Sequence, residues 1–233
     1  MTHAMTRQEL IRFLVLRSLG NFLVLFSLFG VAMTFGPAVY EEIRFRTDQV
    51  TGIKYVVEDP TIANLSRQID EQQNQSLFVN GKDRLIVPLN TDFDIIIPKI
   101  GANAVVIPNV DPTDEQQYLA ALKKGVAHAK GSVFPGMQGT TYLFAHSTDN
   151  WWDVGRYNAI FYLLKDLQPA DSVTIFFNGK RYDYSVRNIQ IVDPSEVSYL
   201  VNAQNTPEQL VLQTCWPPGT TWKRLLVVAD PVK

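Results

Sequence analysis

From Ser18 to Tyr40 the chain carries no charged residue, a run of 23 positions. Its centre, Phe22-Leu-Val-Leu-Phe-Ser-Leu-Phe-Gly-Val-Ala-Met-Thr-Phe35, is apolar on every side of a helix. Such a helix is buried in a large core or in a bilayer. Crossing a bilayer takes about 20 residues, so the run predicts a transmembrane helix over 18–40. A cleaved signal peptide is the competing reading, but its apolar core usually spans only about 7–15 residues. Gly36-Pro37-Ala38 is also a weak cleavage site. Arg7, Arg12 and Arg17 precede the run, offset by Glu9, which puts residues 1–17 in the cytoplasm and everything from about residue 41 on outside the cell membrane. Arg44 and Arg46 follow it together with Glu41 and Glu42, so the asymmetry is modest.

The 233 residues leave room for one ordinary domain beside this segment. A net charge of -2 gives no basic field for nucleic acid. Residues 41–83 read as a stalk. Asp59-Pro60 breaks the chain, and Asn64–Gln75 is mostly polar, with at most a short helix of thin apolar face. No internal repeat is evident.

The compact domain is expected over 84–233. Leu85-Ile-Val-Pro88 and Asp94-Ile-Ile-Ile-Pro98 are short β-branched runs ended by proline, which suggests strands near an edge. Ala102–Ile107 is a third. Thr113 with Gln116 matches a capping box for a helix to about Lys124, with Tyr118, Leu119 and Leu122 on its apolar face and Gly125 as its stop. Thr140–Phe144 is a strand leading to His146, with Tyr142, Phe144 and His146 on one face. An aromatic loop follows over 149–158, holding Trp151 and Trp152, and then a helix over Ala159–Leu167. Ser172–Phe177 and Lys180–Arg187 flank Asn178-Gly179, a strong hairpin signal. Asn188–Val192 extends or follows the second of these strands. Asp193-Pro194-Ser-Glu196 opens a short helix that buries Val197, Leu200 and Val201. Many short strands with a few short helices predict a mainly β domain, a barrel.

The last two strands carry the chemistry. Leu210-Val-Leu-Gln-Thr-Cys215 ends on the only cysteine of the chain, and Trp216-Pro-Pro-Gly-Thr-Thr-Trp222 turns into Lys223-Arg224-Leu-Leu-Val-Val-Ala229. An antiparallel pair of this kind sets Cys215 beside Arg224. A lone cysteine is commonly a small buried hydrophobe, but beside a guanidinium it is a plausible nucleophile. Its proton partner is usually a histidine distant in sequence. His3 lies before the membrane run. His128 sits between alanines with no clear strand end. His146 ends a strand beside a polar loop, where scaffolds present functional groups, and is preferred. Arg224 can stabilise an oxyanion or hold the substrate carbonyl; otherwise it is an exposed strand-end charge. Thr214 is a candidate for positioning substrate, although a regular strand points it away from the face of Cys215. Trp216 is either a groove wall or packing. No loop has metal-ligand spacing, so no metal or other cofactor is expected.

Leu212-Gln-Thr-Cys215 followed by Arg224-Leu-Leu-Val-Val-Ala229 resembles the signature of sortases, the membrane-anchored cysteine transpeptidases of bacterial surfaces. The family pattern is Thr-Leu-x-Thr-Cys, a variable loop, and an arginine opening the last strand. Val211 stands where the first threonine is usual. Leu143-Phe-Ala-His146, Ile97-Pro-Lys-Ile-Gly101 and Gly131-Ser-Val-Phe-Pro-Gly136 resemble further family segments, so the likeness covers about residues 84–230 in order. It implies an eight-stranded barrel with inserted short helices and an N-terminal membrane helix. It implies that Cys215 attacks the threonine carbonyl of a Leu-Pro-x-Thr-Gly-like sorting signal and that His146 protonates the leaving amine. Arg224 would hold substrate or oxyanion. An amine from a wall precursor or another surface protein would resolve the thioacyl enzyme, with water as the slower acceptor. Some sortases use calcium, and that alternative stays open.

Two other readings compete. A membrane-tethered β-domain could bind a peptide or wall component without turnover, in which case Cys215 is replaceable. A cysteine peptidase would hydrolyse without joining. The Ser-x-Gly-Cys motif of the peptidoglycan cross-linking cysteine transpeptidases is absent. The chain stops at Lys233 with no long apolar tail, so no second membrane anchor is expected.

Overall fold

A computed structural model of the chain describes residues 6–58, 78–79, 83–147 and 160–232. Helix α1 runs from Arg7 to Thr51. Thr6 and Glu9 cap its start reciprocally, each side chain accepting from the other's backbone N–H. Gly52 ends it at φ 71, a left-handed conformation that glycine adopts without a Cβ clash. The stretch Arg7–Met33 is long and apolar enough to cross a membrane and is wholly unburied. It begins earlier than the expected 18–40, because Leu10, Ile11, Phe13, Leu14, Val15 and Leu16 are also exposed apolar side chains. The helix continues through Gly36 and Pro37, where proline's missing N–H removes one ladder bond.

The stalk expected over 41–83 is different wherever it is described. Residues 41–51 form the last turns of α1, and β1 (Lys54–Val57) follows. Strand β1 pairs in parallel with β3 (Asp83–Ile86), which also pairs antiparallel with β2 (Phe78–Val79). So β3 is the middle strand of a three-stranded sheet and not an edge. The polar composition of 41–51 suggested a solvated spacer, but three of its charged groups are spent on the domain. Arg44 Nη2 donates to the Ile100 carbonyl at 3.0 Å, Lys165 Nζ to Glu42 at 3.0 Å, and Tyr55 Oη to Asp48 at 2.7 Å. Phe45 joins the main core. The breaks and polar helix expected at Asp59-Pro60 and Asn64–Gln75 lie outside the described residues.

Eight further strands close a barrel: β4 (Phe93–Ile97), β5 (Ala102–Val110), β6 (Val126–Ala129), β7 (Thr140–Phe144), β8 (Ser172–Phe177), β9 (Lys180–Val192), β10 (Gln209–Trp216) and β11 (Lys223–Pro231). Their order around the barrel is β10-β11-β9-β8-β4-β5-β6-β7, with β7 returning to β10. Closure leaves no free edge. This corrects the edge reading of β4, which lies between β5 and β8. Asn178-Gly179 makes the β8–β9 hairpin with both residues at positive φ. The β-branched and leucine-rich runs fill one core, including Ile95, Ile97, Leu143, Ile175, Leu210 and Leu212, all at most 1% exposed.

The helices differ from expectation at their ends. Helix α2 (Glu115–Leu122) is capped by Asp114, whose side chain accepts from Gln117 N at 3.0 Å. Thr113 is instead tied back to Asp111. The helix expected over 159–167 is a 3-10 helix, Tyr162–Asp166, which buries Leu163 and Leu164, with Leu167 buried at its C-cap. Helix α3 is only Ser198–Val201 and buries none of its residues; Val197 and Val201 are exposed. Glu196 accepts from Ser198 N rather than opening a longer helix.

Candidate active site

Strands β10 and β11 pair with Leu210 opposite Ala229, and this register sets Cys215 opposite Arg224. On its other side β10 runs parallel to β7, with Val211 opposite Tyr142 and Gln213 opposite Phe144. Ala145 N continues that ladder to Gln213 O at 3.1 Å. Carried two residues beyond its last pair, the register brings His146 to the flank of Cys215. Neighbouring strands lie about 5 Å apart. Three chain segments thus present His146, Cys215 and Arg224 side by side at one end of the barrel. All three are partly exposed, and Cys215 is a free thiol.

The second histidine is placed quite differently. His128 is fully buried in β6. Its Nδ1 accepts from Asn109 N at 3.2 Å, while Nε2 faces the Val133 carbonyl at 3.1 Å and Ser132 Oγ at 2.9 Å. A ring that accepts at Nδ1 carries its proton on Nε2. The ring stacks on Phe134 with centroids 4.6 Å apart. Burial pushes its pKa down, partly opposed by the Val133 carbonyl. His128 is a neutral core histidine with both nitrogens used, which leaves His146 as the histidine beside the thiol.

Thr214 is 2% exposed, and its hydroxyl donates to the Ala145 carbonyl at 3.0 Å. By strand alternation the Thr214 side chain lies on the face opposite Cys215, where it fastens the residue before His146. The neighbouring loop is fastened too. Gly219 N donates to Ser147 Oγ at 3.4 Å, and Ser147 is 2% exposed. The Pro-Pro-Gly turn, entered by a cis Trp216-Pro217 bond, is therefore tied to the residue after His146. Arg224 Nη1 donates to the carbonyls of Thr221 and Lys223 at 3.1 and 3.2 Å, holding the last turn of that loop. Lys223 points elsewhere, to Asp193 at 2.6 Å. Trp216 packs against the main core while remaining partly exposed. Trp151 and Trp152 lie outside the described residues.

Three site features escape the linear pattern. Tyr142 Oη donates to Gln213 Oε1 at 2.6 Å, on the face shared by Cys215 and His146. Tyr118 reaches the site from α2. Burial pushes its phenol up, the charges of Glu115 and Cys215 add to this, and Arg224 opposes it. Sequence periodicity read Tyr118 only as part of an apolar helix face. Helix α3 leans beside β7 and is tied to β9 where Gln190 Nε2 donates to Tyr199 Oη at 3.0 Å. The shared face of Tyr142 and His146 was visible as period two, but the hydroxyl's partner is 71 residues away. Among the described residues no three His, Cys, Asp or Glu side chains converge on a metal position.

Comparison with known proteins agrees with this architecture. The family model of the Sortase domain matches residues 95–232. Sortase D of Bacillus subtilis (strain 168) is 27% identical over 139 residues, which are 58% of this chain and 61% of that protein. The chain thus spans about three fifths of the length of this curated relative. Sortase C1 of GBS pilus island 1 superposes with a TM-score of 0.51 at 22% identity, over 60% of this chain and 64% of that one. Sortase C-1 from Actinomyces oris gives 0.50 at 24%, over 62% and 74%. A lid mutant of sortase A from Corynebacterium diphtheriae gives 0.50 at 22%, over 84% and 95%. At these identities the structural likeness speaks for the fold.

Proposed function

Because the chain belongs to the sortase family, we propose that it is a membrane-anchored cysteine transpeptidase in which Cys215 is the nucleophile, His146 the acid and base, and Arg224 the partner of substrate or oxyanion. The observation that carries this reading is the strand register. It aligns Cys215 with Arg224 directly and, continued along β7, with His146.

The chemistry follows from the residue types. The Cys215 thiolate attacks a threonine carbonyl carbon in a Leu-Pro-x-Thr-Gly-like sorting signal, forming a C–S bond. The tetrahedral oxygen gains negative charge, and a guanidinium at Arg224 lowers that charge's energy. As the C–N bond breaks, imidazolium at His146 gives its proton to the departing amine. The thioacyl enzyme splits one difficult exchange into two easier steps. An incoming amine, from a wall precursor or another surface protein, then loses a proton to His146 and expels the thiolate. Helix α1 anchors the domain, with the catalytic end extracytoplasmic and the N-terminal end of the helix on the other side. Trp216 and Tyr118 line the approach to Cys215. Thr214 positions His146 through Ala145.

The test uses the full chain in detergent, since α1 contributes Phe45 to the core. It is incubated with a Leu-Pro-x-Thr-Gly peptide library and triglycine or hydroxylamine, and products are read by mass spectrometry. Cleavage after threonine with transfer to the amine is the expected result. Cys215→Ala abolishes it. His146→Ala lowers the rate about 10²–10⁴-fold, and Arg224→Ala about 10²–10³-fold. Hydrolysis without transfer would instead make the protein a peptidase. No thioester, with a Cys215 slow to alkylate, would make it a binding module.

A further inference from the structure

One row of the catalytic face carries two half-buried amides that the chemistry above does not use. Two residues before Cys215, the strand register sets Phe144, Gln213, Leu226 and Gln190 side by side across β7, β10, β11 and β9. Residues paired across neighbouring strands share a face, and so do residues two apart on one strand. The row therefore lies on the face of His146, Cys215 and Arg224. Phe144 and Leu226 are 9% and 0% exposed, while Gln213 and Gln190 keep partial access to solvent.

Each glutamine is held by a tyrosine hydroxyl, and the two are held by opposite ends of the amide. Tyr142 Oη donates to Gln213 Oε1 at 2.6 Å, whereas Gln190 Nε2 donates to Tyr199 Oη at 3.0 Å. Burial pushes the Tyr142 phenol up, with Arg224 opposing and Glu196 adding, so it keeps the proton it donates. With its oxygen occupied, Gln213 offers its NH2 group. With its nitrogen occupied, Gln190 offers its carbonyl oxygen. Neither of these free ends is bonded to a described residue. The two backbones are two strand spacings apart, about 10 Å. A donor thus faces an acceptor across a dry floor of Leu226.

That arrangement matches a peptide chain lying between them. In an extended chain the C=O and N–H of one peptide unit point to opposite sides. A donor on one flank and an acceptor on the other therefore satisfy both groups of a single unit. The acyl half of the substrate has to stay bound through both steps, while one amine leaves and another enters. Beyond Cys215 lies the Pro-Pro-Gly turn, which ends at Trp222, 73% exposed. That rim is open for the amines. The inboard side is walled by α3, which lies against β7 and is tied to β9 through Tyr199. The acyl half belongs on that inboard side. At about 3.3 Å per residue, the glutamine row meets the carbonyl two residues before the threonine's. In a Leu-Pro-x-Thr-Gly-like signal this is the proline carbonyl, and its peptide unit ends in the N–H of x.

We propose that Gln213 and Gln190 clamp this one peptide unit, Gln213 donating to its carbonyl oxygen and Gln190 accepting from its N–H. Tyr142 and Tyr199 orient the two amides beforehand, which reduces the ordering cost of binding. The clamp reads main chain rather than side chain, so it sets the register of the signal over Cys215. This inference rests on the transpeptidase reading above and adds to it the residues that hold the acyl half.

The experiment uses the full chain in detergent with triglycine and two substrates. One is the pentapeptide selected from the library. The other is its ester analogue, in which oxygen replaces the N–H of the third residue. Wild type is expected to cleave the ester with kcat/KM lower by about 10-fold, mostly through KM, because the clamp grips ground state and transition state alike. Gln190→Met has no acceptor to lose, so its amide-to-ester ratio should fall close to 1, while Gln213→Met keeps the wild-type ratio. Glutamate at the two positions should act unequally. Gln213→Glu still accepts from Tyr142 but sets an acceptor against the substrate carbonyl, and should lose about 10- to 100-fold. Gln190→Glu still supplies an acceptor, and its loss should be smaller by a factor of about 5 or more. Both positions are diagonal to Arg224, so a mere effect of added charge would strike them alike. Thermal unfolding and alkylation of Cys215 report an intact barrel and thiol in each variant. Equal rates of wild type on amide and ester, or equal losses in the two glutamate variants, overturn the clamp. Failure of wild type on the amide pentapeptide overturns the transpeptidase reading instead.

Discussion

Removing the Thr214 hydroxyl tests how the site is held together. Thr214→Val keeps the branched shape and deletes one O–H. That hydroxyl donates to the Ala145 carbonyl at 3.0 Å, and Thr214 and Ala145 are 2% and 6% exposed. Water does not replace a partner at such depth. An unpaired buried acceptor costs about 1–3 kcal/mol. For a chain of this size, 1 kcal/mol corresponds to roughly 2–4 °C in Tm, so a fall of several degrees is expected. The effect on chemistry should exceed the effect on stability. Ala145 is held on both sides, by its N–H to Gln213 O at 3.1 Å and by its carbonyl from Thr214. It is the last fixed residue before His146. Loss of one hold lets the imidazole drift, and a misplacement of about 1 Å can cost on the order of 10²-fold in rate. We expect kcat/KM of Thr214→Val to fall about 10- to 100-fold, mostly in kcat. Thr214→Ser keeps the hydroxyl and loses one methyl, worth about 1 kcal/mol, and should retain most of the rate. Thermal unfolding and steady-state transfer to triglycine measure both variants. Equal rates for Thr214→Val and wild type, or equal losses for serine and valine, would refute the positioning argument.

Other outcomes follow from the same structure. His128→Asn should lower stability by about 2 kcal/mol or more, since it removes a stacked ring and leaves buried partners unmet, but should spare the rate per folded molecule; His146→Ala should do the reverse, and urea titration beside activity separates them. Asp94 is fully buried with Oδ2 accepting from Leu89 N at 2.7 Å and Oδ1 unpartnered among the described residues. Burial raises its pKa from 3.8 to about 7, against backbone hydrogen bonds that lower it. The folded state therefore holds this proton more tightly than the unfolded chain. Its contribution is complete below pH 4 and is lost as pH rises towards 7, a span worth roughly 4 kcal/mol. Asp94→Asn should flatten that slope and be the more stable protein at pH 8, as measured by urea unfolding at pH 4.5 and 8; an unchanged slope would show that Asp94 does not titrate there. Gly125 stands where a Cβ would collide with the Val105 carbonyl oxygen. Gly125→Ala should lose about 2 kcal/mol or more through forced backbone movement, read as a drop in Tm.

Much of the site was legible because it is written in local pattern. The run Leu210–Cys215, the turn, and Arg224–Ala229 state a strand pair whose ends must meet, and period two puts Tyr142, Phe144 and His146 on one face. Asn178-Gly179 names its own turn, since its positive φ values suit those residues. A helix long and apolar enough to cross a membrane is legible from apolar length alone. What local pattern leaves open is which strands become neighbours. Thr214 and Ala145 are 69 positions apart, Tyr142 and Gln213 71, and Glu42 and Lys165 123. No periodicity spans those separations.

Residues 41–51 show the limit most clearly. Their charges read as solvated spacer because composition reports polarity but not partners, and a charge matched by Lys165 or by the Ile100 carbonyl looks no different in sequence from one matched by water. The two histidines show it again. Both stand near strands of small and apolar residues, and only the folded chain fills both nitrogens of His128. Sequence determined the elements, the thiol, its arginine and an apolar helix of membrane-crossing length, because each depends on neighbours within a few residues. Tertiary structure decided the barrel order, the histidine and the docking of α1, because these depend on contacts that exist only after distant segments pack.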